Sequence, residues 1–521
     1  MYQFSGKLKI FSLALILVGA LGIGYSFLTA PSTVEDAKEI MAKQSAHGDA
    51  HGASHEENHE SDAAHTESHD AENAAHGDAH HNENSAEAHS SDSNEVENHS
   101  NELVDNDHES SSGSHTSDSN IDKEMSAHGA HNDDSHAEHA LHQMQNKPWS
   151  ALYVSLFFFL GISLLVLAFY AAQRVAQSGW SIVLFRVMEA ISANLVPTSI
   201  IMLVVIVLSA MHMNHIFPWM TEGTFDPSSP NYDAIVDGKS WWINLPGWTI
   251  RGVVYLLIWN AYRWFIRRNS IAEDTANDGN KTYKKNYNAS VIFLFLFMIT
   301  ESMMSWDWIM GLDPHWFSTL FGWYVLASLL VSALTVIAFV TIYLRSKNAL
   351  PGVNDSHIHD LAKFMFGFSV FWTYLWFAQF MLIWYADIPE ETTYFVARFN
   401  EYKLPFLAMV VMNFVFPILL LINSDYKSIP WFVVIGGIVI LGGHYIDIFV
   451  MIMPATVGPF WSFGIAELSA LLFFLGIFIY TVFSAFAKAN PIPKGNPFLK
   501  ESEHFHYYNI EHRGEGSGDH H

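Results

Sequence analysis

Ten apolar runs of roughly 20 residues recur along the chain, each long enough to cross about 30 Å of hydrocarbon. They fall near 9–29, 149–172, 191–213, 247–266, 288–309, 318–344, 362–386, 403–422, 431–453 and 462–487. Polar loops separate them, and no soluble core needs so many. Backbone in hydrocarbon must satisfy its own hydrogen bonds, so such runs are expected to be helices. The predicted fold class is an all-α polytopic membrane protein with ten transmembrane helices. The first run follows Lys7 and Lys9 in the manner of a signal peptide, but it has nearly the length of a full span and reads as an uncleaved anchor.

Orientation follows from the basic residues. With both termini cytoplasmic, 18 Lys and Arg fall on the inner side and seven on the outer, and Arg251 lies within a span. The inner set includes the cluster Arg263, Arg267, Arg268, Lys281, Lys284 and Lys285. This places residues 32–146 and the Trp306–Trp316 loop on the outer face of the membrane.

The formal net charge of −26 conflicts with a chain half of whose residues are apolar, until the charge is located. Residues 32–146 hold 27 acidic side chains and three lysines; the remainder is nearly neutral. The insert is of low complexity and too poor in apolar side chains to offset chain entropy, so disorder is expected. It also carries 18 of the 29 histidines, some four residues apart (His47, His51, His55, His59). Loose binding of Zn²⁺, Cu²⁺ or Ni²⁺ is one reading. A solvated spacer is the other, and it is preferred because nothing encodes fixed geometry; no metal ligands are assigned. The chain has no cysteine, which excludes thiolate-held iron–sulfur clusters and covalent haem c on this chain.

Ionisable residues inside membrane spans mark functional positions. Two groups stand out, both in the outer half. His212 and His215 end the third span, Arg251 opens the fourth, and Glu301 and Asp307 lie near the end of the fifth. They read equally as an ion pair pinning helices or as proton acceptors holding the oxygens of a quinone ring. The second group is Gln379, Asp387, His444, Asp447 and Glu467; His444 and Asp447 share a helix face, and with Glu467 at a similar depth they read as a proton path rather than as a packing histidine. The inner half is poorer: Glu189 and Asn194 precede Pro197, which reads as a proline kink. Haem b requires paired histidines on facing helices, and the inner half is read as supplying none, so haem is not expected here.

Asp313 and His315, also read as members of the proton path, complete the outer loop Ser305-Trp306-Asp307-Trp308-Ile309-Met310-Gly311-Leu312-Asp313-Pro314-His315-Trp316-Phe317-Ser318-Thr319. This loop, together with Ile383-Trp384-Tyr385-Ala386-Asp387-Ile388-Pro389-Glu390-Glu391-Thr392, resembles the NrfD-like, or polysulfide reductase membrane-subunit, family as it occurs in alternative complex III. The layout is similar too. An anchor (1–31) is followed, beyond the insert, by a four-helix bundle of spans 2–5 (147–309) and a second of spans 6–9 (310–453). A last span (454–487) and a cytoplasmic tail (488–521) complete it. The resemblance covers 1–30 and about 148–500; the insert lies outside it.

The resemblance implies a subunit of a respiratory complex that oxidises quinol. It implies no cofactor on this chain itself, with menaquinone as a candidate ligand. Iron–sulfur clusters and haem c would sit on periplasmic partners, beside a second NrfD-like subunit, a terminal oxidase and lipid, with no nucleic acid. One departure is Gln379, where the quinol-binding sister subunit carries a carboxylate; glutamine takes no proton at pH 7. Two competing expectations are a scaffold that docks the periplasmic subunits and a free-standing secondary transporter.

Overall fold

The structure, a computed structural model, describes residues 2–42, 121–276 and 278–507, with side chains from 137 onward in the second stretch. The chain divides into a body, Met1–Ala37 with Ala137–His521, and a segment, Lys38–His136. Within the segment, 38–42 and 121–136 are described and are helical; the four-spaced histidines at 47–80 lie outside the described residues.

Among the described residues every regular element is helical. The principal helices are α1 (Gly6–Leu28), α2 (Ile121–Val175), α3 (Gly179–Ala210), α4 (Leu245–Glu273) and α5 (Lys281–Trp308). They continue as α6 (Phe321–Ser346), α7 (Asp355–Ala386), α8 (Lys403–Leu421), α9 (Pro430–Thr456) and α10 (Ile465–Ala487). Nine of these, all but α4, are long and apolar enough to cross a membrane. The protein is therefore a polytopic helical membrane protein. Helix α4 has the length, at 29 residues, but Arg251, Arg263, Arg267 and Arg268 make its composition too polar for that class.

The acidic insert is shorter than its sequence suggests. Residues expected to be disordered up to 146 are helical from Ile121, and the last ten belong to the body. Ala137, Ala140 and Met144 are buried, and the Asn146 amide donates to the His215 and Thr456 carbonyls at 2.9 and 3.3 Å. Charge and histidine content conceal this, because the buried face is built from small residues and one methionine.

Helices α2 and α6 form the interior: their most apolar windows are 94% and 83% buried, against 11% for α1. Helices α3, α4 and α5 pack in sequence, while α6 meets both α7 and α9, and α8 lies on α9. Lipid is as apolar as leucine, so helix pairs in a membrane associate through close approach of small residues rather than hydrophobic burial. Helices α1 and α10 do so. A Cβ at Gly19 would lie 2.5 Å from the Phe473 backbone nitrogen, and one at Gly476 would lie 2.8 Å from the Ser12 carbonyl. The opposite face of α1 leaves Ile10, Leu17 and Leu21 exposed, as lipid contact requires.

Two irregularities position polar groups. Helix α3 tightens to 3-10 geometry at Ser192–Asn194, just before Pro197. Proline lacks the N–H that would bond Ala193, and its ring crowds that carbonyl, so the disturbance expected at this point is present. Helix α8 widens to a π turn at Val411–Val415, which brings the buried Asn413 against α9. Gly443 makes room: a Cβ there would lie 2.1 Å from Asn413 Oδ1.

Candidate functional site

Arg251 and Asp307 meet at one end of the bundle. Asn244 caps α4, its side chain accepting from the Gly247 N–H at 2.8 Å, and this sets Arg251 in the second turn facing the end of α5. The guanidinium grips Asp307 with two bonds, Nε to Oδ2 at 2.8 Å and Nη2 to Oδ1 at 2.7 Å. Tyr255 adds a third, donating its hydroxyl to Oδ2 at 2.8 Å. The forked pairing suits a guanidinium and a carboxylate, and Asp307 is buried. Its oxygens are committed, so this member of the first group is the ion pair that pins helices.

A cavity of about 160 Å³ opens beside the pair, walled by Trp219, Trp242, Trp248, Trp306 and Trp316. Arg251 stacks on Trp242, its guanidinium carbon 4.2 Å from the ring centre. The indole nitrogens of Trp306 and Trp316 are buried with no acceptor among the described residues. Flat apolar walls with unpaired N–H donors suit a planar ring that carries acceptor oxygens.

Glu301 lies on α5 about a turn and a half before Asp307. It is buried, accepts only from Ser305 Oγ at 3.4 Å, and has no charged partner among the described residues. The first group is therefore not brought together as a whole: Arg251 takes Asp307 and leaves Glu301 alone. His212 and His215 are both exposed, with His215 set against His142. His212 adopts a left-handed φ of 56° where α3 ends, so the chain turns its ring outward.

The second group is partly assembled. His444 and Asp447 on α9 are fully buried. The Asp447 carboxylate accepts from Ser328 Oγ at 2.7 Å, from Trp372 Nε1 at 2.9 Å and from the Tyr324 hydroxyl. Ser328 Oγ also lies 3.0 Å from His444 Nδ1, and Nε2 of that ring has no partner among the described residues. Tyr324, Gln379, Tyr394 and Arg398 line a cavity of about 10 Å³ beyond the cluster, enough for about one water. Gln379 Oε1 and Arg398 Nε are unpartnered there, and Tyr394 stacks on Trp316 of the outer loop at 4.1 Å. The other two residues lie elsewhere. Asp387 is exposed at the left-handed end of α7, and Glu467 caps α10 by accepting from the Gly464 N–H at 2.8 Å.

His315 sits on the surface against Asp233, with Asp313 beside it near Lys239. Asp233 also accepts from the Ile235 and Val236 N–H groups at 3.0 and 3.1 Å. Partial burial pushes its carboxyl up, but these bonds and His315 outweigh it and hold the group below its ordinary 3.8. A depressed folded value stabilises above the unfolded one and stops doing so as pH falls through the folded value. Protection of the 218–244 loop from amide exchange should therefore weaken as pH drops below about 3.8, and Asp233→Asn should remove that dependence. A pH-independent wild-type loop would contradict the assignment.

Among the described residues the largest charge network lies at the opposite end. Glu189 accepts from Arg186 at 2.8 Å, Tyr170 at 3.1 Å, Arg267 and Ser270. Arg186 also bonds Asp274 at 2.7 Å, and Arg174 bonds Glu273 at 3.0 Å. The residues lie at the ends of three helices, and each basic or acidic one looks alone like an ordinary flank. Two histidines are also buried at this end, His357 and His359, where no inner-half histidine was anticipated. His357 caps α7 with Asn354 and lies 3.1 Å from the Ser502 carbonyl, while His359 lies 3.1 Å from Ser424 Oγ. They fasten the helix and do not face one another as haem ligands would.

No protein-family model and no curated protein matches the chain.

Proposed function

We propose that this chain is an integral membrane subunit of a quinol-oxidising respiratory complex of the alternative complex III type, in the position of its second NrfD-like subunit, ActF. It transfers protons within the membrane while electrons pass to iron–sulfur and haem-c partners. The observation that carries this reading is the buried cluster of Tyr324, Ser328, Trp372, His444 and Asp447. Ionisable groups this deep in a helical membrane protein are costly unless they move protons or bind a ligand. Here the hydroxyl groups of Ser328 and Tyr324 join the imidazole and carboxylate to a water-sized cavity facing the outer loop.

In the proposed topology ten spans leave both termini in the cytoplasm, and the acidic insert and the Trp306–Trp316 loop lie on the periplasmic side of a bacterial inner membrane. Spans 2–5 and 6–9 form two four-helix bundles. Helix α4 crosses despite its arginines, because Arg251 is neutralised by Asp307 and the others gather at one end.

A quinone site is a second part of the reading, favoured by the tryptophan-walled cavity beside Arg251. The ring would lie among the indoles, with the unpaired Trp306 and Trp316 N–H groups toward its oxygens; Glu301, which does not line the cavity, would be the carboxyl on the same helix as Trp306 that exchanges the proton. When bound, menaquinone would supply the two-electron chemistry; the chain's own residues orient it and handle protons.

Amide replacements separate this reading from a scaffold. Glu301→Gln and Asp447→Asn should each lower quinol turnover or proton yield on the order of a hundredfold, with partner subunits still bound. Full activity in both variants would leave only the scaffold role.

A further inference from the structure

We infer that the cavity beside the start of α1 binds one anionic glycerophospholipid. The inference rests on reading the helices as membrane-spanning and is independent of the quinol chemistry. The cavity is about 840 Å³, several times larger than the tryptophan-walled one, and is lined by Tyr2, Lys7, Leu8, Phe11, Tyr343 and Lys347, among others. Pro351 and Pro491, from two further segments, also line it.

Its chemistry is divided. Lys7 extends from the first turn of α1, and Lys347 follows the last turn of α6 with its ammonium 5.8 Å from the Tyr343 ring centre. Both are exposed, and neither enters an ion pair among the described residues. The carboxylate of Asp355, close along the chain, is already held by Arg345. Two uncompensated ammonium groups on separate elements of one cavity call for an anion.

The remaining lining calls for hydrocarbon. Leu8 is half-buried and Phe11 exposed, and Phe11 leads onto the face of α1 where Val18 and Tyr25 are also exposed. A soluble phosphate would gain nothing from Leu8 and Phe11, and a zwitterionic lipid would gain little from two lysines. A phosphodiester headgroup with acyl chains satisfies both halves. The location agrees, because this end of the bundle gathers the basic residues and anionic leaflets attract such clusters.

The test uses the full chain with whatever subunits accompany it, purified in mild detergent and depleted of lipid. Dioleoyl-phosphatidylglycerol and dioleoyl-phosphatidylcholine are titrated separately, and retained lipid is read by native mass spectrometry. Phosphatidylglycerol should bind at one per chain and phosphatidylcholine should not be retained. The Lys7→Gln/Lys347→Gln pair should weaken binding about thirtyfold, and Lys7→Arg/Lys347→Arg should retain it. Because both side chains are exposed, the melting temperature should not move. Equal retention of the two lipids, or undiminished binding to the glutamine pair, would overturn the inference. Displacement by millimolar inorganic phosphate would reassign the site to a soluble anion and overturn the lipid as its occupant. Loss of quinol turnover with lipid binding intact would count against the functional proposal alone.

Discussion

Replacing Glu189 by leucine is expected to destabilise the protein by about 3–5 kcal/mol, the cost of leaving buried charge unpaired. Glu189 is the anion on which two arginines converge, and Arg186 is itself buried. Arg186 would keep Asp274, but Arg267 would keep only the Ala485 carbonyl, accepting from its Nη2 at 3.1 Å. The network joins the end of α2, the start of α3 and the end of α4, so its loss loosens three helices at once. The melting temperature of the detergent-solubilised protein should fall steeply or the variant should fail to accumulate. Glu189→Gln, which keeps an acceptor but not the charge, should fall between. A leucine variant melting with the wild type would mean that the arginines are solvated rather than buried.

The second large effect concerns Arg251, and here stability and binding should separate. Arg251→Ala leaves Asp307 with Tyr255 as its remaining side-chain partner and should cost about 3–5 kcal/mol. It also removes the face stacked on Trp242 and the bond to the Trp242 carbonyl at 3.0 Å. The double variant Arg251→Leu/Asp307→Leu removes both charges together. Replacing a buried pair by apolar side chains is often neutral or stabilising, so its melting temperature should recover. Affinity for a quinone-analogue inhibitor should not recover: it should remain at least about tenfold weaker, roughly the worth of one charge-assisted contact. Recovery of both would make Arg251–Asp307 a helix pin with no part in binding.

How much of this was legible beforehand differs by scale. The helices were, because a span needs a run of apolar residues that composition cannot hide; nine expected runs coincide with strongly apolar helices. The pairing of His444 with Asp447 was also legible, since three residues on a helix share a face, and Arg251 with Asp307 was within the first group. Partner choice was not. Depth alone made Glu301 and Asp307 equal candidates for Arg251, and only the rotation of α5 selects Asp307. Tyr324, Ser328 and Asn413 were invisible because each is an ordinary residue in an apolar run, and Trp372 looks like one of a helical stripe of packing tryptophans; the crossing of α6, α7 and α8 over α9 brings all four to Asp447 and His444. Asp387 and Glu467 were placed in the path by depth, but the left-handed end of α7 turns one outward and the cap of α10 occupies the other. The inner network was missed because basic residues at span ends are what membrane orientation alone would produce.

The central proposal is that this chain works inside a quinol-oxidising complex. The most direct measurement is to purify it from its native membrane in mild detergent, identify the co-purifying subunits by mass spectrometry and record a reduced-minus-oxidised visible spectrum. Stoichiometric iron–sulfur and haem-c subunits, with a haem-c spectrum reduced by added quinol, is the predicted result. A chain that purifies alone, with no redox-active partner and no quinol-reducible signal, would contradict it.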